Sequence, residues 1–190
     1  MAKNRPTKEM FGQVMRKPIP FRKDTTTGIE SLDEAIDWLA EDRTALLDIA
    51  VAKEAVPLLM AATRIGAHVT ACHEDQGFTA AIKQSFLIHR IRNHTLINKN
   101  IRALPGRFKR SFDALLALDL STQNMVEKAL ELVGSALDDE GKALISGKKD
   151  VFSETMVESL GDQALTGTYE SAGETYVFVA FTKKAGENAV

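Results

Sequence analysis

The chain has 190 residues, enough for one domain with a short extension and a core that needs no staples. Its 44% hydrophobic and 26% charged residues are ordinary for a globular protein, and no apolar run approaches the roughly 20 residues of a bilayer-crossing helix. The single cysteine, Cys72, excludes an internal disulfide and fits a reducing compartment, so the expected location is the cytoplasm.

The net charge of −2 conceals four blocks of alternating sign. Residues 1–23 carry seven Lys/Arg against Glu9 alone, and residues 24–75 carry three basic against eleven acidic groups. Residues 76–112 hold eight Lys/Arg and no acid, whereas 113–190 hold six basic and fourteen acidic residues. Such segregation implies an anionic partner, a self-complementary surface or a set of solvated faces.

Residues 1–24 hold Pro6, Pro18 and Pro20 and no sustained period, which predicts an extended arm. The domain is expected over 25–190. Thr25-Thr26-Thr27-Gly28 is a capping cluster, and Ile29, Leu32, Ile36 and Leu39 recur at helical spacing after it. Residues 44–50 form a short apolar strand. A helix over 54–65 stops at Gly66, and 67–72 form a second strand. Phe78, Ala81, Ile82 and Phe86 mark a helix over 78–92, followed by a brief strand at 94–98 and a turn at Pro105-Gly106. Residues 112–118 are a fourth strand. Val126, Ala129, Leu130, Val133 and Leu137 mark a helix ended by Asp138-Asp139-Glu140-Gly141, and 142–146 form strand five. Continuous apolar strands separated by helices imply a parallel sheet covered on both faces. The ending differs, because 164–169 and 174–182 flank Gly173 as an antiparallel hairpin.

Five parallel strands and a terminal hairpin resemble the class I SAM-dependent methyltransferases. Leu46-Leu47-Asp48-Ile49 resembles the start of that family's first motif, and Arg64-Ile65-Gly66-Ala67-His68-Val69 the entry to its second strand. Ser111-Phe112-Asp113-Ala114-Leu115 is similar to the fourth-strand motif, and 137–145 to the turn into strand five. The resemblance implies a three-layer Rossmann-like α/β fold, with a seven-stranded mixed sheet in the order 3-2-1-4-5-7-6.

It also implies where SAM would sit, and there the sequence departs from the pattern. The glycines of the D-x-G-x-G-x-G motif are replaced, since Asp48 is followed by Ala50, Ala52 and Glu54. His73 occupies the position of the acid that grips the ribose, and Asp75 is a candidate shifted acid. Asn100 stands where an aspartate reaches the adenine amine. The pocket positions implied are therefore Asp48, Ala50, His73, Asp75 and Asn100, with conventional SAM binding lost or, if the pocket is remodelled, retained.

The histidines form no metal-like spacing, and His89 continues an apolar stripe as a packed residue. Asp119 faces the cleft or serves the polar cluster in which Ser121 or Thr122 caps the next helix. The candidate partner-binding residues are Arg90, Arg92, Lys99, Arg102, Arg107, Lys109 and Arg110, with Lys83 and the arm beside them. The expected partner is a protein or a second copy of the chain, RNA or DNA being the alternative, and no membrane. Two readings stand: a non-catalytic, methyltransferase-like binding or scaffold subunit on an acidic partner, or a divergent SAM-dependent methyltransferase of a macromolecular substrate.

Overall fold

The computed structural model describes residues 18–49, 55–104, 108, 111–158 and 160–185. In chain order these form α1 (Glu30–Ala40), β1 (Ala45–Ile49), α2 (Val56–Ile65), β2 (His68–Cys72), α3 (Gln76–Ile88) and β3 (His94–Ile97). They continue with β4 (Phe112–Leu120), α4 (Gln123–Ala136), β5 (Leu137–Lys148), β6 (Gly161–Ser171) and β7 (Glu174–Lys183). Short 3-10 turns lie at Ile101–Ala103 and Glu154–Val157.

The sheet order is β3-β2-β1-β4-β5-β7-β6, the order the methyltransferase resemblance implies. β1 to β5 pair in parallel, and β7 runs antiparallel between β5 and β6. Strand alternation divides the apolar residues between two cores. Leu46, Val69, Ala114, Leu116, Leu144 and Phe178 meet α1, α2 and α3 on one face. Leu47, Cys72, Leu115, Ile145, Val179 and Phe181 meet α4 on the other. Each fully buried phenylalanine, such as Phe86 or Phe178, contributes about 1.5–3 kcal/mol of transfer free energy.

Local chemistry sets most of the boundaries. α2 opens with Pro57 in its first turn and closes at Gly66, whose φ of +66° is the left-handed stop. α3 begins at Asp75, whose Oδ1 accepts from the Phe78 amide at 2.8 Å, and it ends before Arg92. Arg90 takes φ +59° there, reversing the chain into β3. The Thr25–Gly28 cluster does not supply a side-chain cap to α1. Thr27 instead donates its amide and hydroxyl to Asp33 Oδ1, at 2.8 and 2.7 Å.

One expected turn is absent. α4 passes into β5 without a loop, so 138–141 lie inside the strand, where Glu140 has φ +61° and the β4–β5 register shifts. A Cβ on Gly141 would come within 2.7 Å of Leu137 Cγ, which restricts this bulge to glycine. The physical reason is Lys183 on β7. Its buried Nζ donates to Gly134 O at 3.0 Å and Leu137 O at 2.6 Å, satisfying carbonyls that a glycine cap would otherwise serve. Lys142 does the same for α1, donating to Trp38 O at 2.7 Å and Glu41 O at 3.2 Å. Among the described residues, no helix is long and apolar enough to cross a membrane.

Candidate functional site

The C-terminal ends of β1, β2, β3 and β4 open on the same side of a parallel sheet, where α/β folds place their ligands. Two polar networks lie there, one on each side of Asp48.

Asp48 sits on the interior strand β1, paired to Ala71 of β2 and Leu116 of β4. It is 3% exposed, and its Oδ2 has no hydrogen-bond partner among the described residues. Burial pushes its carboxyl well above the ordinary range. Burial also raises Cys72 to about 12, with the Asp48 charge adding to it, so this thiol is no nucleophile at neutral pH. Ala50, with Ala52 and Glu54, lies outside the described residues.

The first network joins the ends of β2 and β3. His73 Nδ1 accepts from the Asp75 amide at 2.9 Å, and its ring lies against Phe78, centroids 4.2 Å apart. Burial lowers the His73 pKa, opposed by the Asp75 and Glu74 carboxylates. Asn98 Nδ2 donates to the His73 and Glu74 carbonyls at 3.0 and 3.1 Å, and Asn100 Nδ2 donates to Glu74 Oε2 at 2.6 Å. The Asn100 side-chain oxygen accepts from the Arg102 amide at 3.0 Å. The structure sets His73, Asp75 and Asn100 at the ends of β2 and β3 and gives each a partner within the protein. A neutral imidazole has one acceptor nitrogen, and that of His73 already receives an amide. It cannot grip two ribose hydroxyls as a carboxylate does. Asp75 caps α3.

The second network lies beyond β4. Asp119 holds φ +60°, a strained conformation for a residue with a side chain. Its amide donates to Ser146 Oγ at 2.9 Å, and Tyr169 OH donates to its Oδ1 at 2.6 Å. Ser146 Oγ and Tyr169 OH are 2.5 Å apart. Since the phenol gives its proton to Asp119, the serine donates to the phenol and the three groups close a ring. Burial, then the Asp119 carboxylate, raises the Tyr169 pKa. The carboxylate borders a cavity of about 220 Å³ that Ile29, Leu32, Pro57 and Leu118 also line. Asp119 thus faces the cleft. Thr122 stands at the α4 N-cap but makes no side-chain cap bond. Tyr169 and Ser146 were not legible as site residues; the period-2 alternation of β6 carried the only signal, an aromatic on the inward face.

Of the basic residues, Arg90, Arg92 and Lys99 are exposed around β3, while Arg107, Lys109 and Arg110 lie outside the described residues. Arg102 Nη2 donates to Thr122 Oγ1 at 3.4 Å, which sets it beside the β4 end of the cleft. His89 is half-buried with Phe21 edge-on at 5.0 Å, a packed residue. Among the described residues, no three His, Cys, Asp or Glu side chains converge as a metal site.

The sequence matches no protein-family model, and no curated protein matches it. Solved structures do match in fold. An Escherichia coli protein, yhhF, provisionally assigned as a methyltransferase, is 15% identical with a TM-score of 0.67 over 88% of this chain and 92% of its own. An rRNA methylase from Streptococcus thermophilus is 17% identical, with a TM-score of 0.63 over 84% of this chain and 99% of its own. Magnesium protoporphyrin IX methyltransferase from Synechocystis, solved with bound SAM, is 14% identical, with a TM-score of 0.55 over 82% and 79%. The fold is that of the class I SAM-dependent methyltransferases.

Proposed function

We propose that this chain is a methyltransferase-fold binding module without a conventional SAM site, held to an acidic partner by its β3 edge and arm. The observation that carries the reading is the seam between β2 and β3. The ribose position holds a histidine whose acceptor is in use, and the adenine position holds an Asn100–Glu74 hydrogen bond. A nucleoside entering there would have to break these bonds and sit beside the Glu74 carboxylate. Calorimetric titration of the purified chain with SAM and with S-adenosylhomocysteine tests it, and the expected result is no heat of binding at micromolar ligand. Micromolar affinity for either would overturn the reading.

A second reading, a divergent methyltransferase, draws on the other side of the cleft. Asp48 Oδ2, buried and without a partner among the described residues, is a polar atom that a ligand would satisfy, and the Asp119–Tyr169–Ser146 ring fixes a carboxylate beside an apolar cavity. Within it Asp48 would hold the methionine end of SAM, and Asp119 would orient an acceptor that donates a hydrogen bond. The same titration divides the two readings, because only this one requires SAM to bind.

A further inference from the structure

The cations of this protein fall into two populations. Arg64, Lys128, Lys142, Lys148, Lys183 and Lys184 each have a carboxylate within 3.9 Å. Arg22, Lys23, Lys83 and Arg90 pair with no carboxylate among the described residues, and neither do Arg92, Lys99 and Arg102. Arg43, just before β1, and Lys149, just after β5, are also unpaired among the described residues, but the other seven lie together. Ile19 donates its amide to Ser85 Oγ at 3.0 Å, and Phe21 meets His89, so the described end of the arm lies on α3. That contact brings Arg22 and Lys23 to the corner where Arg90 and Arg92 lead into β3. Lys83 stands exposed on the 13-residue α3, about 20 Å long, and Lys99 and Arg102 follow the other end of β3. The result is a line of cations, unpaired among the described residues, along one edge of the sheet and ending beside the cleft.

The line is not purely polar. Leu87 and Ile88 are 57% and 60% exposed, the exposed large hydrophobics among the described residues. Leu87 follows Lys83 by one helical turn, on the same face. A duplex turns its bases inward and offers such a surface only phosphate and sugar. A single strand offers phosphates to the cations and base faces to the aliphatic groups.

We propose that this edge, from Arg22 and Lys23 past Arg90, Arg92 and Lys83 to Lys99 and Arg102, binds the backbone of a single-stranded nucleic acid. The inference rests on the reading that the edge meets an acidic partner, and it names that partner. The strand crosses the α3–β3 edge toward the cleft, its phosphates replacing the carboxylates these cations lack.

Fluorescence anisotropy of the full chain with labelled uridine and thymidine oligomers tests this, with a duplex and poly-L-glutamate as the other probes. Seven phosphate contacts predict a log–log salt slope of roughly −5 for a single strand, and an affinity loss of about a thousandfold between 50 and 200 mM salt. A Lys83→Gln, Arg90→Asn, Arg92→Gln variant should flatten the slope by about 2. Asn is chosen at 90 because it tolerates the positive φ. A Lys128→Gln, Lys148→Gln, Lys149→Gln variant, equal in charge removed, should leave the slope unchanged. Equal effects of the two variants would show that net charge alone acts and would overturn the site. So would a duplex that binds more tightly than both oligomers. Edge-dependent binding of poly-L-glutamate with none of either oligomer overturns the nucleic acid and keeps the acidic partner. Binding of no probe removes both, whatever the SAM titration gives. Preference for the uridine over the thymidine oligomer assigns RNA; the reverse assigns DNA.

Discussion

The two polar networks of the cleft use the same kinds of bond in opposite surroundings. The Asp119–Tyr169–Ser146 ring is closed in on itself, with Ser146 fully buried and Tyr169 nearly so. The seam at β2 and β3 is open: Glu74 and Asn98 are exposed and Asn100 is half-buried. A buried group that loses its partner is left without water, whereas an exposed one is resolvated at once. The ring should therefore act as a structural clamp on the hairpin, and the seam as an adjustable rim.

Tyr169→Phe should give the largest effect, because it leaves Ser146 and Asp119 short of a partner inside the protein. The expected loss is about 1–3 kcal/mol, read as a fall in melting temperature of roughly 2–4 °C per kcal/mol for a chain of this size. A fall of less than a degree would show that water enters the ring and that the contrast with the seam is false.

Asp48→Asn probes the group between the two networks and should raise the melting temperature at pH 7. Its raised folded pKa means that the native state holds a proton the unfolded chain releases near pH 4. The wild type is therefore favoured below the unfolded pKa and loses that stability as pH rises through it toward the folded value. The gain from Asn should shrink as the pH falls to 4, in paired melting curves across that range. A gain that is independent of pH would mean Asp48 is ionised in the folded protein.

Asn100→Ala should have the smallest effect, within about 0.5 kcal/mol, as surface substitutions do. Chemical denaturation measures it. A loss comparable with that of Tyr169→Phe would make the seam a second clamp.

Much of the fold was legible in local pattern. Gly66 ends α2 as its sequence position implies, and the apolar runs of β1, β2 and β4 stand where continuous hydrophobicity puts them. The site was legible only as positions. Asn100 reaches Glu74 across the β2–β3 ends, a contact that follows from strand pairing and that no linear spacing reveals, whereas the His73–Asp75 bond is local, two residues apart.

By itself the sequence determined the layers, because alternation and helical periodicity act over a few residues and register the hydrophobic effect directly. It also determined the charge blocks, since these are sums over the chain. Only the tertiary structure decided where α4 stops, because the groups that satisfy its last carbonyls belong to Lys183, 46 residues beyond Leu137. The same holds for Asp119, whose partners Ser146 and Tyr169 lie 27 and 50 residues away. It holds too for which cations are free, since ion pairing depends on distances across the folded chain. Hydrogen bonds and ion pairs are short-ranged in space and indifferent to separation in sequence, so they are set when the sheet brings its strands together.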